Sequence, residues 1–227
     1  MKGGDLAKKI QDAKNTYFQE SQILDWFTQI CLALKHVHDR KIIHRDLKCQ
    51  NIFVTKDNII KLGEQIIYFF RLLFFLGDFG IARILSRTCE KAKTIVGTPY
   101  YLSPEIIENK PYSFKSDIWS LGVILYEVCS LKPPFNAQSI PGLALKIIKG
   151  TYAPIPSHFS YELKKLVNKL LSISPDKRPS VHDILKMPII TNRIKNFLSE
   201  SIVKYEFSHT ILHKNVIFFL EKWRLKK

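Results

Sequence analysis

The run His44-Arg45-Asp46-Leu47-Lys48-Cys49-Gln50-Asn51 constrains this chain more than any other stretch. It places a carboxylate, an ammonium group and an amide within six residues, at Asp46, Lys48 and Asn51. A carboxylate can orient a hydroxyl and accept its proton, and an amide oxygen can serve as a ligand for Mg²⁺. An ordinary loop of solvated charges has the same composition, so the run needs support from the rest of the chain.

Five further motifs follow in one order along the chain. The spacing H-R-D-L-x-x-x-N, followed by D-F-G, is typical of a protein-kinase catalytic loop and magnesium motif. A single D-F-G motif is weak evidence for a kinase, but a series of kinase motifs in the expected order is strong evidence. The A-P-E motif of kinases is present here with Ser in place of Ala. The series is Asp78-Phe79-Gly80, Gly97-Thr98-Pro99-Tyr100-Tyr101, Ser103-Pro104-Glu105, Asp117-Ile118-Trp119-Ser120-Leu121-Gly122 and Pro175-Asp176-Lys177-Arg178-Pro179.

Over residues 1–200, apart from the segment 64–77, the chain resembles the NIMA-related (NEK) serine/threonine protein kinases. The resemblance implies a cytoplasmic enzyme that uses ATP and Mg²⁺ and phosphorylates protein substrates. It also implies partners at microtubules, centrosomes or cilia, and association with the cytoskeleton. The residues that carry it are Gly4-Asp5-Leu6, Gln22-Ile23-Leu24-Asp25-Trp26-Phe27, Ala33-Leu34-Lys35-His36-Val37-His38, Glu108-Asn109-Lys110-Pro111-Tyr112, Lys115-Ser116-Asp117-Ile118-Trp119 and the stretch 97–105.

The resemblance implies a role for each motif residue. Asp46 is the base or the carboxylate that orients the substrate hydroxyl. Asn51 and Asp78 hold magnesium and, through it, ATP. Lys48 and Thr98 support the transferred phosphate and the substrate. The resemblance implies structural roles for Glu105, Asp117 and Arg178.

Thr94 is expected to be the activating phosphorylation site, because it lies four residues before Thr98, where NEK kinases are phosphorylated. A phosphate adds about −1.5 to −2 charges at neutral pH. Arg45 is its natural partner, because a guanidinium can bind phosphate through two parallel hydrogen bonds. The rival sites are Ser86, Thr88 and Thr98, and Arg83 and Arg87 could add to the basic cluster.

The hydrophobic pattern predicts a mainly helical domain with one short hairpin. Apolar residues at helical spacing predict a helix over 21–40 that leads into the catalytic loop. Two β-branched runs, 52–54 and 59–62, predict a hairpin. Residues 116–130 predict a buried central helix, in which Asp117 must be hydrogen-bonded; the resemblance supplies the backbone of the catalytic loop as its partner. Later helices are predicted at 143–149, 161–171 and 181–186.

The 227 residues contain no G-x-G-x-x-G motif and no V-A-I-K-like segment before His44. A protein kinase uses both at the ATP phosphates. We therefore expect an α+β fold, a kinase C-terminal lobe without its N-terminal lobe. The kinase portion covers 1–200 and a basic amphipathic tail covers 201–227. The chain as written is expected to be inactive, and a lobe that serves only as a binding or docking module is the alternative.

Residues 64–77 interrupt the resemblance. Asp46 and Asp78 lie 32 positions apart, and removing these 14 residues leaves 18, the separation usual in the family. After Gln65 the segment is almost wholly apolar, with Arg71 near its middle, and it is too short to span a membrane as a helix. We interpret it as non-coding sequence translated in error, such as a retained short intron. A genuine inserted element packed on the lobe or on a partner is the alternative.

A net charge of +15 raises the question of nucleic-acid binding. The lysines are scattered and no nucleic-acid motif occurs, so acidic partners or phosphate are expected instead. The tail 203–227 could contact a membrane, but packing on the lobe or a disordered end is favoured. The chain's cysteines form no C-x-x-C pair, which favours a reducing compartment. A regulatory thiol at Cys49 or Cys89 is the alternative to ordinary reduced cysteine.

Overall fold

The computed structural model describes residues 4–62 and 99–194, and these residues are mostly helical. One two-stranded antiparallel sheet accompanies the helices in this part of the chain. Short 3₁₀ turns cover Cys49–Asn51, Pro99–Tyr101 and Pro175–Lys177. The longer elements are α1 (Leu6–Asp12), α2 (Glu20–Asp39), β1 (Ile52–Val54), β2 (Ile60–Leu62), α3 (Pro104–Ile107), α4 (Phe114–Ser130), α5 (Ile140–Lys149), α6 (Tyr161–Leu170) and α7 (Val181–Leu185).

Helix α2 leads the chain into the catalytic loop, as the apolar spacing predicts. Its buried residues include Ile23, Phe27, Ile30 and Leu34, which recur three or four positions apart and therefore share one side of the helix. Burying each such side chain stabilises the fold by about 1.5–3 kcal/mol. Just beyond the helix, Lys41 adopts a left-handed conformation at φ 61°, which turns the chain away from the helix axis.

Helix α4 forms the centre of the core, and 14 of its 17 residues are buried. A capping box closes its start, where the Ser116 hydroxyl accepts the backbone N–H of Ser113 at 3.2 Å. Its end is marked by Leu131 at φ 57°. Helix α6 packs so closely on it that a Cβ at Gly122 would lie 2.8 Å from the Cβ of Leu170. The predicted buried central helix is therefore confirmed.

Strands β1 and β2 form the predicted hairpin, with Phe53 opposite Lys61. The side chain of Gln29, on helix α2, fixes the turn of the hairpin. The side chain donates from Nε2 to the carbonyl of Asn58 at 3.1 Å and accepts at Oε1 from the N–H of Ile60 at 2.9 Å. Asn58 is left-handed at φ 58°, a conformation that asparagine tolerates in turns. The second strand begins at Ile60, one residue later than predicted.

The later helices are present, with shifted ends. Helix α5 begins three residues earlier than predicted, because the Ser139 hydroxyl caps it by accepting the N–H of Gly142 at 3.2 Å. Helices α6 and α7 each end one residue early. The four-residue helix α3 was not predicted. It begins with Pro104, whose missing N–H has no consequence at the first position of a helix.

Two predicted segments, the apolar stretch 64–77 and the tail 201–227, lie outside the described residues. Their interpretation stays a prediction, as does the domain boundary at residue 200. Among the described residues, no helix is both long enough and apolar enough to cross a bilayer.

Candidate active site

The catalytic loop, residues 44–51, connects helix α2 to strand β1. His44, Leu47 and Cys49 are buried, whereas Arg45 and Asp46 are exposed. Arg45 has φ 67°, which few residues with a side chain adopt. The buried side chains hold the loop against the core and leave the Asp46 carboxylate open to an incoming molecule.

Two of the predicted site residues, Lys48 and Asn51, contact the carboxylate of a third, Asp46. Its Oδ1 lies 2.8 Å from the Lys48 ammonium, and its Oδ2 accepts from Asn51 Nδ2 at 2.6 Å. The same Asn51 amide also donates to the Asp46 carbonyl at 2.9 Å. The Asp46 side chain is 58% exposed, so these contacts orient the carboxylate without enclosing it. The spacing predicted from sequence therefore brings a carboxylate, an ammonium group and an amide into one cluster.

Asp117, at the start of helix α4, holds the backbone of this loop. Its fully buried carboxylate accepts the N–H groups of His44 at 2.8 Å and Arg45 at 3.0 Å. It also accepts the Tyr112 hydroxyl at 3.0 Å, and its Oδ2 lies 2.8 Å from His38 Nε2. A buried charge is costly without such partners. The family resemblance implies that Asp117 binds the backbone of the catalytic loop, and the structure contains these hydrogen bonds.

His44 is a neutral imidazole packed behind the loop. Burial lowers its pKa, although the nearby carboxylates of Asp117 and Asp46 oppose that shift. Its Nδ1 accepts the backbone N–H of Asp46 at 3.3 Å, so the ring proton is on Nε2. That Nε2 is buried and has no hydrogen-bond partner among the described residues.

A buried ion pair joins Glu105 to Arg178. The guanidinium donates to the two carboxylate oxygens at 2.7 and 2.8 Å, and the Ser116 hydroxyl donates to the same carboxylate at 2.7 Å. Burial alone would raise the pKa of Glu105, but the hydrogen bonds from Arg178 and Ser116 outweigh it and lower that pKa to about 2. The guanidinium also lies 4.9 Å from the ring of Trp119. Further carbonyl acceptors of Arg178 are those of Lys115, Ser172 and Ile173.

Several residues of this region were not predicted from the sequence. His38 and Tyr112 complete the shell around Asp117, and a second cluster joins Tyr101 and Glu127 to Cys49. One local signal in the sequence could have identified His38. It is a polar residue four positions after Leu34, on the apolar side of a helix. Burial raises the pKa of the Cys49 thiol, so the ordinary reduced cysteine is favoured over a regulatory thiol.

Asp78, Thr98 and Thr94 lie outside the described residues, so their predicted roles stay predictions. The rival phosphorylation sites Ser86 and Thr88 lie there too. In the two described ranges, no group of three or more His, Cys, Asp or Glu side chains is arranged to hold a metal ion. The predicted magnesium ligands are an amide, Asn51, and the carboxylate of Asp78.

Comparison with known proteins identifies relatives of the chain. The protein kinase domain family matches residues 1–190. Serine/threonine-protein kinase Nek1 of Mus musculus is 54% identical over 212 residues, which is 93% of this chain and 16% of the relative. Nek5 of Homo sapiens is 49% identical over 210 residues, which is 92% of this chain and 28% of the relative. Probable serine/threonine-protein kinase nek3 of Dictyostelium discoideum is 52% identical over 187 residues, 82% of this chain and 16% of that relative. The chain thus spans well under a third of these relatives.

Proposed function

The chain belongs to the protein kinase family, in its NIMA-related serine/threonine branch, and from that premise we propose that it transfers the γ-phosphate of ATP to serine and threonine hydroxyls of proteins. One observation carries the proposal. The exposed Asp46 carboxylate is held by the Lys48 ammonium on one oxygen and by the Asn51 amide on the other. A phosphoryl-transfer site needs such an oriented carboxylate beside a fixed positive charge.

Asp46 receives the substrate hydroxyl. Because Lys48 and Asn51 each hold one of its oxygens, the carboxylate has a set direction, and it can accept a hydrogen bond and then the proton of the attacking hydroxyl. The Lys48 ammonium, 2.8 Å from this carboxylate, stabilises negative charge that develops on the transferred phosphate. Thr98 is proposed to support the substrate from the adjoining loop.

The donor set fits Mg²⁺, which prefers oxygen ligands and is usually bound by one or two protein side chains together with substrate phosphates. Asn51 would offer its Oδ1, because its Nδ2 is engaged by Asp46 and Oδ1 has no partner among the described residues. Asp78 would be the second ligand. When bound, the ion would neutralise charge on the phosphates of ATP.

The same site suggests how activity is controlled. Thr94 is the proposed activating phosphorylation site, and Arg45 is its proposed partner. Arg45 is exposed, its backbone N–H is tied to Asp117 at 3.0 Å, and its side chain makes no ion pair with a described residue. A phosphate on Thr94 is proposed to bind the guanidinium of Arg45, the residue next to Asp46 in the sequence.

The mainly helical fold with a short hairpin favours the C-terminal lobe of a kinase, over residues 1–200. A second candidate function rests on one sequence observation, that the 227 residues contain no G-x-G-x-x-G motif. A polypeptide limited to these residues would lack that phosphate clamp and would act as a docking module. A docking module would bind its partners equally well after Asp46→Asn, whereas an enzyme would lose turnover.

Protein substrates are the proposed partners, with microtubule, centrosome or cilium components suggested by the family resemblance. A cytoplasmic location, in association with the cytoskeleton, is proposed on the same resemblance. Nucleic acid is not a proposed partner, because the basic residues are scattered along most of the sequence and no nucleic-acid motif occurs. A membrane is not a proposed partner either.

The test is phosphorylation of a serine/threonine peptide by the full-length natural protein, with and without Asp46→Asn. Removing the carboxylate should lower kcat by about 10²- to 10⁴-fold. Asp57→Asn is the matched control, because Asp57 is an exposed aspartate in the hairpin turn. Retention of full turnover by Asp46→Asn would refute the proposed role.

A further inference from the structure

Residues 128–161 are the longest stretch of the chain without an aspartate or glutamate, and they contain Lys132, Lys146 and Lys149. Helix α5 lies inside this stretch, and Lys146 and Lys149 are exposed on it. Neither of these two lysines makes an ion pair with a described residue. Helix α5 therefore presents positive charge that no carboxylate in the described part of the protein neutralises by direct contact.

An exposed leucine accompanies these lysines on one side of the helix. Lys146 and Lys149 are three positions apart, so they are neighbours on the helix surface and repel each other. Leu145 is 59% exposed, whereas Leu143 and Ile147 on the other side of the helix are buried in the core. A lone exposed leucine is ordinary on a protein surface. Here it stands beside two ammonium groups, on the side of the helix that the core does not use.

An open groove of about 490 Å³ adjoins the same side of the helix. The Lys146 ammonium, which donates to the Asn136 carbonyl at 2.7 Å, brings a positive charge to it. A Cβ at Gly142 would lie 3.4 Å from the Cβ of Ala137, so the glycine keeps the groove open. Its volume is within the range of binding sites for small ligands. The lining residues are Asn136, Ala137, Gln138, Ser139, Gly142 and Lys146. We call these residues, together with Leu145 and Lys149, the α5 surface.

The chemistry of the α5 surface favours carboxylates beside an apolar side chain. The amides of Asn136 and Gln138 and the Lys146 ammonium are hydrogen-bond donors, and no described acidic side chain lines the groove. Residues 128–161 contain no arginine, whose fork binds phosphate through paired hydrogen bonds. One exposed leucine is too small an apolar face for a helix that lies on a membrane. An acidic peptide with an apolar side chain therefore fits this surface better than nucleic acid or lipid does.

We propose that the α5 surface docks an acidic segment of a partner protein. Leu145 packs against an apolar side chain of that segment, and Lys146 and Lys149 bind the carboxylates that flank it. Helix α3, which packs on α5, ends beside the exposed Glu108, but that carboxylate is paired with Lys110 and leaves the charge of α5 available. Docking needs no phosphoryl transfer, so this proposal goes beyond the proposed kinase function and does not rest on it.

The test uses a synthetic peptide in which one leucine is flanked on both sides by glutamates, and fluorescence anisotropy measures its binding to the 227-residue chain. Combining Lys146→Ala with Lys149→Ala should weaken binding about 4- to 20-fold, since two exposed ion pairs are lost. Leu145→Ser should weaken it about 5-fold or more, since the apolar anchor is lost. Added salt should weaken binding to the wild type by screening the charges.

Matched controls change the same residue types elsewhere. Lys56→Ala combined with Lys61→Ala removes two exposed lysines of the hairpin and lowers the net charge equally. Leu32→Ser removes an exposed leucine of helix α2, which is 38% exposed. Both should bind the peptide as the wild type does. Equal affinity in the α5 double variant and the hairpin double variant would overturn the proposal.

Altered peptides test the same contacts on the unchanged protein, so the proposal stays testable even if a variant melts below the wild type. Replacing the glutamates by glutamines should remove most of the binding, and replacing the leucine by serine should weaken it about 5-fold or more. Absence of binding at low salt, or equal binding of the glutamine peptide, would overturn the proposal. So would tighter binding of anionic phospholipid vesicles or a single-stranded oligonucleotide that depends on Lys146 and Lys149, since it would assign the surface to another partner.

Discussion

Arg178→Met should be among the most damaging single substitutions in the described part of this protein, lowering the free energy of unfolding by about 3–5 kcal/mol. Arg178 is 1% exposed and Glu105 is 4% exposed, so methionine leaves a buried carboxylate without its charge partner. It also leaves the carbonyls that accept from Arg178 without their donor. Glu105→Gln should cost less, about 1.5–3 kcal/mol, because a glutamine oxygen still accepts hydrogen bonds and Arg178 keeps its carbonyl partners.

The pH dependence makes this prediction sharper. The pKa of Glu105 is about 2 in the folded protein against an ordinary value of 4.5, so the folded state favours the ionised form. The resulting stabilisation is complete above the ordinary pKa and disappears as pH falls towards the folded pKa. One pKa unit corresponds to about 1.4 kcal/mol, so the shift amounts to about 3 kcal/mol at neutral pH. About 2 kcal/mol of this should be lost between neutral pH and about pH 3.

Urea unfolding followed by tryptophan fluorescence measures the effect, since Trp119 lies beside the guanidinium. The stability difference between wild type and Glu105→Gln should shrink on acidification. Glu108→Gln is the control, because the Glu108–Lys110 pair is exposed and its loss should change stability little. A difference between wild type and Glu105→Gln that stays constant from neutral pH to about pH 3 would refute the reasoning, as would a larger loss in Glu105→Gln than in Arg178→Met.

Three further predictions concern packing, the insert and regulation. Gly122→Ala should destabilise the protein by about 1–3 kcal/mol, because helix α6 leaves no room for a Cβ; a wild-type midpoint in urea would contradict this. Deleting 64–77 should raise the melting temperature and reduce aggregation, because the segment is almost wholly apolar; if light scattering and melting are unchanged, the translated-intron interpretation loses its support. In the full-length protein, Thr94→Ala and Arg45→Ala should each lower activity strongly, and the double variant little further. Independent, additive losses would argue against their pairing.

Local pattern predicts the elements well and their ends less well. Helix α2 and the central helix α4 follow from apolar spacing, because each has a face or a whole surface to bury. Helix α5 starts earlier than its apolar residues suggest, since its start is decided by the Ser139 cap and not by hydrophobicity. The hairpin follows from two β-branched runs around a polar turn.

The contacts of the candidate site also include some that the sequence predicts and some that it does not. Asp46, Lys48 and Asn51 are close in sequence, so their meeting could be predicted from spacing. The contact of Asp117 with the loop spans more than 70 positions and was expected only through family resemblance. Tyr101 and Glu127 are 26 positions apart and share no periodic pattern. Their contact depends on how α4 packs, which no local rule in the sequence supplies.

Helix α4 holds the catalytic loop at two points. Asp117 binds the N–H of His44, and Glu127 reaches the N–H of Cys49 through Tyr101. Ten residues of α-helix separate the two acids, about 15 Å along the axis. The loop between these two attachment points is not extended, because Arg45 is left-handed at φ 67° and a 3₁₀ turn begins at Cys49. We expect one added residue to disturb either an attachment or the contact between Asp46 and Lys48. The central helix therefore holds the loop backbone on both sides of Asp46 and Lys48.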